Sequence, residues 1–248
     1  MVVPTASAQY RAVEDLTSIT APVGATLRYS FTALEHITGL STVAALTLRE
    51  FARPRPGRVL SVDTRPGQSA RDVLRDGLPL SEEKAPRLPA DVRQWMRLHR
   101  GLVAVAFDGG ALADWNHTIA PVIRHFDIVG TDWGALPLPD ATQAAMASDV
   151  TCITGSYERD SAESAIGFAR ALAEQSEECR PIVVLSDITA SRSTWPRIIA
   201  PHLPFPVVSI PHDAALLAGR APTATTLTRV RAVAATLRRA ATERDVHS

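Results

Sequence analysis

The sequence predicts one α/β domain with a mostly parallel central sheet of about seven strands and helices on both faces, a three-layer arrangement. Three observations carry that expectation. Short apolar runs alternate with helical patterns from Ala25 onward, the signature of repeated βα units. Several runs, such as Pro181-Ile182-Val183-Val184-Leu185, are apolar throughout, as suits strands covered on both faces. The helical stretches between them mostly last about three turns, the usual crossover length.

In chain order, residues 1–24 are weakly patterned around Pro4 and Pro22 and read as an N-terminal arm, with a single domain over 25–248. Thr26–Phe31, rich in β-branched and aromatic residues, is the first strand, and Thr42–Ala52 is the helix that follows it. Val59–Val62 is the second strand. Gly77–Pro89, with Pro79, Pro86 and Pro89 among charges, reads as a surface loop. The pattern then resumes with a helix over Ala90–His99, a strand over Leu102–Phe107, a helix over Trp115–His125 and a strand over Ile128–Thr131. Asp140–Ala147 and Ser161–Gln175 are helices flanking a strand at Val150–Thr154. Ile182–Leu185 and Val207–Ile210 are strands flanking a helix at Thr194–Ala200. In the last helix, Thr226–Arg244, the residues Leu227, Val230, Ala234, Leu237 and Ala241 form one apolar face. Arg229, Arg231, Arg238 and Arg239 fall largely outside that face and read as a solvated rim.

Composition narrows the function classes. Of the 248 residues 46% are hydrophobic and 21% charged, so the chain buries enough apolar surface to fold. Its 26 basic and 26 acidic residues cancel, which leaves no overall field for nucleic acid or anionic lipid. Lys84 is the only lysine, a skew that GC-rich coding explains; a Schiff-base or phosphate-loop lysine is therefore possible at that position alone. Cys152 and Cys179 make neither a metal-ligand pattern nor a C-x-x-C motif, and read as buried thiols in a reducing compartment. The first residues lack the basic and apolar regions of a signal peptide, and no apolar run is long enough to span a membrane. The expectation is a cytoplasmic protein.

Ligands of parallel sheets bind beyond the carboxyl ends of the strands. Three predicted strands end there in an aspartate: Asp63, Asp108 and Asp132. Gathered at one edge, such carboxylates hold a divalent cation or orient water, as in a metal-dependent hydrolase; taken singly, each caps a helix or shapes a turn. No G-x-S-x-G elbow, H-E-x-x-H helix or G-x-G-x-x-G fingerprint is present.

The fragments Arg58-Val59-Leu60-Ser61-Val62-Asp63, Phe126-Asp127-Ile128-Val129-Gly130-Thr131-Asp132 and Ile210-Pro211-His212-Asp213-Ala214-Ala215-Leu216 occur in a telling order. Over roughly residues 25–240 that order resembles the MinD/ParA group of P-loop ATPases, of the SIMIBI class. By that resemblance, Asp63 faces the attacking water, Asp132 ends the Walker B strand, and Asp187, Pro211 and Asp213 border the adenine pocket. The phosphate loop falls on Glu35-His36-Ile37-Thr38-Gly39-Leu40-Ser41-Thr42. Gly39, Ser41 and Thr42 match it. Glu35 and Leu40 stand where the group has lysines, and His36 and Ile37 where it has glycines. A glutamate repels triphosphate, and leucine cannot neutralise the charge that builds on the transferred phosphoryl group.

The resemblance thus implies a degenerate Walker A motif and a pseudo-ATPase: a non-catalytic binding or positioning partner with no cofactor. It also implies pairing, as a homodimer or as a heterodimer with an active ParA/MinD-like relative. The alternative it leaves is an atypical ATPase that takes Mg-ATP, with an arginine in place of the lysine and Ser41, Asp63 and Asp132 around the metal.

Overall fold

The computed structural model describes residues 5–64, 77–84, 88–106, 112–175, 179–191 and 193–245. Seven parallel strands form the body of one sheet: β1 (Leu27–Ala33), β2 (Val59–Asp63), β5 (Leu102–Ala106), β6 (Ile128–Ala135), β7 (Val150–Ser156), β8 (Pro181–Ser186) and β9 (Val207–Ile210). Two short antiparallel strands, β3 (Leu78–Pro79) and β4 (Arg97–His99), extend one side to nine. The order across the sheet is β3-β4-β5-β2-β6-β1-β7-β8-β9. β1 lies inside the sheet between β6 and β7, so its carboxyl end opens onto the middle of the sheet edge.

Successive strand residues point to opposite faces. On one face, Tyr29, Phe31, Val59, Ile128, Cys152 and Val184 pack under α2 (Leu40–Ala52) and α9 (Ala224–Asp245). On the other, Leu60, Val62, Val103 and Val129 meet α4 (Leu112–Thr118), while Ile153, Val183 and Leu185 meet α6 (Arg159–Gln175). α5 (Leu138–Met146) contributes Ala141, Ala144 and Ala145 to that second face. Short helices α3 (Ala90–Arg93), α7 (Trp195–Ile199) and α8 (Ala214–Leu217) complete the connections. Among the described residues, no helix is long and apolar enough to cross a membrane.

Three segments differ from the sequence reading. Residues 90–99 are not one helix: α3 lasts a single turn, and the chain reverses through Arg100 (φ 48°) and Gly101 (φ 87°) so that β4 pairs with β5. Two successive left-handed residues are the backbone of a tight hairpin turn, and they override the local helical pattern. Residues 115–125 also divide, into α4 and a 3₁₀ turn at Ile123–His125, separated at Pro121, which has no amide hydrogen to continue a helix.

Residues 6–20 form a third surprise, the 15-residue helix α1 (Ala6–Thr20), capped where Ala8 N donates to Thr5 Oγ1 at 3.3 Å. α1 docks on α9. Arg55 donates to the carbonyls of Ile19 and Ala21, and Arg238 donates to that of Pro22 at 2.9 Å, so two guanidinium groups satisfy the carbonyls at the helix end. Arg239 pairs with Asp15 at 3.0 Å. Arg238, read as part of a solvated rim, is instead only 8% exposed. Arg231 also turns inward, onto the buried Glu50 of α2 at 3.1 Å, and Arg53 reaches the same carboxylate at 2.8 Å.

The α2 layer lies close to the sheet at Gly130 of β6, where an added Cβ would come 2.5 Å from Leu48 Cδ2. Leu48 is fully buried and has little room to yield. Gly130→Ala is therefore expected to cost about 1–3 kcal/mol by overpacking, read as a lower urea midpoint with an unchanged slope.

Candidate functional site

The segment joining β1 to α2 curls tightly at the carboxyl edge of the sheet. Gly39 has φ 78° and is the N-cap of α2, with its carbonyl accepting from Val43 N at 2.9 Å. Ile37 also has positive φ, 63°. For a β-branched residue that conformation costs on the order of 1–3 kcal/mol and holds only where the surroundings impose it. The constraint comes from both sides of Ile37. Thr38, 3% exposed, joins its hydroxyl to Thr154 of β7 at 3.0 Å, and Gly39 sits against Ser186, whose Cβ would lie 3.5 Å from an added Cβ. The curl encloses an open cleft of about 340 Å³ lined by residues 35–42 and Ala135.

Ser41 and Thr42 lie in the first turn of α2, beside Gly39. Glu35 and His36 are exposed on the cleft wall. Among the described residues, the lining contains no arginine or lysine. Leu40 is 5% exposed and belongs to the core beneath α2.

A second, smaller cavity of about 100 Å³ shares Gly39 and Thr42 with the cleft and runs between α2, α9 and the ends of β8 and β9. It gathers Asp187, Pro211 and Asp213 against apolar Val43, Leu46, Ile210 and Val230. The two carboxylates there are engaged in shaping loops. Asp187 Oδ1 accepts from Ser191 N at 2.8 Å. Asp213 caps α8, accepting from Ala215 N (3.0 Å) and Leu216 N (3.2 Å), and its other oxygen accepts from Thr223 N (2.8 Å) and Thr223 Oγ1 (3.0 Å). The Thr223 N–H is the largest influence that holds the Asp213 carboxyl well below the usual carboxylate range, against the opposing effect of burial. Ser186 Oγ, which strand-end reasoning passed over, is buried at the wall of this cavity without a hydrogen bond.

Asp63 and Asp132 are direct neighbours in the β2–β6 register, at the same sheet edge as the loop. They are 0% and 1% exposed, and neither lines the cleft. For Asp132 the reason is a β-bulge. The β1–β6 register skips Trp133, and Asp132 Oδ1 accepts from Gly134 N at 3.0 Å where Gly134 has φ 79°. Above it, Thr64 donates both its N–H (3.1 Å) and its hydroxyl (3.0 Å) to the Asp132 carbonyl. Asp108 lies outside the described residues. Among the described residues, no group of three or more His, Cys, Asp or Glu side chains is placed to hold a metal ion. A groove of about 1130 Å³ between α1 and β9 contains none of these candidate residues.

Neither a protein-family profile nor a curated protein matches the sequence. Solved structures do match the fold. A ParA family ATPase from Chlorobium tepidum TLS is 18% identical and superimposes with a TM-score of 0.59 over 85% of this chain and 98% of its own. A plasmid partition protein from Borrelia burgdorferi B31, bound to AMPPNP, is 11% identical, with a TM-score of 0.63 over 89% and 99%. The septum site-determining protein MinD from Pyrococcus horikoshii OT3, complexed with Mg-ADP, is 14% identical, with a TM-score of 0.58 over 86% and 94%.

The fold is that of the ParA/MinD ATPases. Within the ParA/MinD fold, β1 followed by a curled loop and α2 is the unit that carries residues 35–42, and β2 and β6 are the strands that bring Asp63 and Asp132 beside it.

Asp213 is expected to act as a structural staple of this edge. Its folded-state pKa lies below the unfolded value of about 4, so its contribution is present above that pH and fades as pH falls toward the depressed value. Asp213→Ala is expected to lower stability by about 1–2 kcal/mol at neutral pH. In urea titrations that deficit should be unchanged at about pH 5.5 and shrink below about pH 4.

Proposed function

We propose that this chain is a ParA/MinD-fold protein with a degenerate nucleotide edge, a non-catalytic binding or positioning partner that works as a pair with a second copy or with an active relative. The observation that carries the reading is the mismatch between the shape and the charge of the loop at 35–42. The backbone curl is kept at Ile37 and Gly39, but Glu35 lines the cleft and Leu40 is folded into the core. A triphosphate entering there meets a carboxylate first. Removing a charged partner from a buried phosphate costs about 2–5 kcal/mol, and two lysine positions are altered.

The donor set does not fit Mg-ATP. Ser41 borders the cleft, but Asp63 and Asp132 are sealed from it, and Asp132 is engaged in pinning its bulge. A protein doing this work belongs in the cytoplasm, where the buried thiol of Cys152 stays reduced.

One observation favours the second reading, an ATP-binding protein with arginine rescue: the strained left-handed Ile37 preserves a loop whose amides can converge on an anion. Calorimetry with Mg-ATP separates the two. The degenerate-edge reading expects binding weaker than about 1 mM and no hydrolysis. Binding tighter than about 10 μM that is abolished by Ser41→Ala would promote the arginine-rescue reading instead. The same reading expects Glu35→Lys, at an exposed position on the cleft wall, to tighten Mg-ATP at least about tenfold, since the loop backbone is already curled.

A further inference from the structure

β9 is the last strand of the sheet, hydrogen-bonded to β8 alone among the described residues. Its ladder shows which backbone groups that leaves open. Val183 N donates to the Pro206 carbonyl at 2.9 Å and Asp187 N to that of Ile210 at 2.9 Å, so residues 206, 208 and 210 face β8. Val207 and Ser209 turn their N–H and C=O groups to the opposite edge, where among the described residues no strand pairs with them. Both residues are partly exposed.

That edge is recessed. The groove of about 1130 Å³ runs along Val207, Val208 and Ser209 with a wall on each side. One wall is α1 with α9, the layer that covers the face of Val208. The other is α7 and the 3₁₀ turn after it (Ala200–His202), on the face of Val207, and it lines the groove through Pro196, Ala200 and Pro201.

We infer that the groove is a docking site for an extended, acidic segment of a partner protein, which adds to β9 as a further strand. Three features select that occupant. Backbone groups spaced two residues apart on a bare edge are matched by another extended chain, and not by a helix, whose backbone bonds are already made. The walls admit a single chain but not the β9 of a second copy, since that strand carries the same walls and the helices would meet first. The charges favour acid. Asp15 and Arg239 satisfy each other at 3.0 Å, which leaves Arg11 and Arg229 against Glu14, all three without an ion-pair partner among the described residues. Successive side chains of an added strand point to opposite walls. The segment is therefore acidic at every second position, toward Arg11 and Arg229, and small and apolar between, toward Pro196 and Pro201. Pro206 and Pro211 have no amide hydrogen and bracket β9, which holds the pairing to its 4 residues.

Docking there needs neither a nucleotide nor the loop at 35–42, so it goes beyond the proposed function and does not rest on it. With one short strand to pair, the affinity expected is weak, with Kd on the order of 100 μM.

The test uses the full chain. In amide-exchange NMR of the chain alone, Val207 and Ser209 should exchange much faster than Val208 and Ile210. The probe is a capped hexapeptide of alternating glutamate and valine. Its addition should slow exchange at Val207 and Ser209. In fluorescence anisotropy, N-methylation of every glutamate or of every valine should abolish binding in one pattern only, because just one set of peptide amides faces β9. Arg11→Glu combined with Arg229→Glu should weaken this peptide at least about fivefold and tighten one with lysine in place of glutamate. Both arginines are exposed, so the melting temperature of that variant should not move. No slowing at 1 mM peptide, equal effects of the two methylation patterns, or binding indifferent to the charge reversal each overturns the inference. So does slow exchange at Val207 and Ser209 that sets in with protein concentration alone, which assigns the edge to a second copy.

Discussion

The position of β1 is the constraint on which the rest of this structure depends. Hydrogen-bonded in parallel to β6 on one side and to β7 on the other, β1 has no free edge. The chain leaving it must therefore rise from the middle of the sheet and cross over one face. The loop at 34–39 makes that exit, and α2 makes the crossing, with Phe51 stacked on Tyr29 of β1 at 5.5 Å between ring centroids. Because a central parallel strand is covered on both faces, its loop is walled by the ends of its neighbours. That is how Thr38 reaches Thr154 and Gly39 comes against Ser186. The left-handed Ile37 is a consequence: the anchored residue after it leaves the chain little other way to turn.

The same enclosure decides the fate of the acidic groups. In an open cleft Asp63 and Asp132 would be free to hold a cation. Here the bulge at Trp133 turns an oxygen of Asp132 onto the Gly134 amide, and Trp133 Nε1 donates to Ser30 Oγ at 3.0 Å from within the core. A buried carboxylate used this way contributes to strand geometry, and its availability for catalysis falls accordingly. At the other end of the site, Asp187 and Asp213 hold the loops after β8 and β9 by accepting backbone amides. Acidic residues that resemble a nucleotide site by position are thus largely spent on building its walls.

Arginine is put to similar use. Arg55 and Arg238 are each 8% exposed and close the end of α1 through carbonyl hydrogen bonds, while Arg231 meets the buried Glu50 that links α2 to α9. Removing Arg55 or Arg238 leaves carbonyls at the helix end without these donors, and removing Arg231 leaves the buried Glu50 carboxylate to Arg53 alone. In a chain with a single lysine, the forked guanidinium is what makes this possible, because it satisfies several carbonyls at once.

Much of the architecture was legible because it rests on local pattern. Continuous apolar runs such as 181–185 mark strands covered on both faces, and the βα alternation marks parallel order; the seven parallel strands follow from those features. The acidic character of Glu35 and the apolar character of Leu40 were equally plain in the residues. Pro121 and the pair Arg100-Gly101 were also legible signals, but a helical period nearby masked the hairpin that joins β4 to β5. What the sequence by itself determined, then, was the layer order and the chemical character of the loop. Only the tertiary structure decided which acidic groups see solvent, that Arg238 turns inward, and that α1 docks with its larger apolar side chains facing out. Burial, bulge register and helix docking depend on residues brought together from more than a hundred positions apart, as Thr32 and Gly134 are, and no local window of the chain contains both partners.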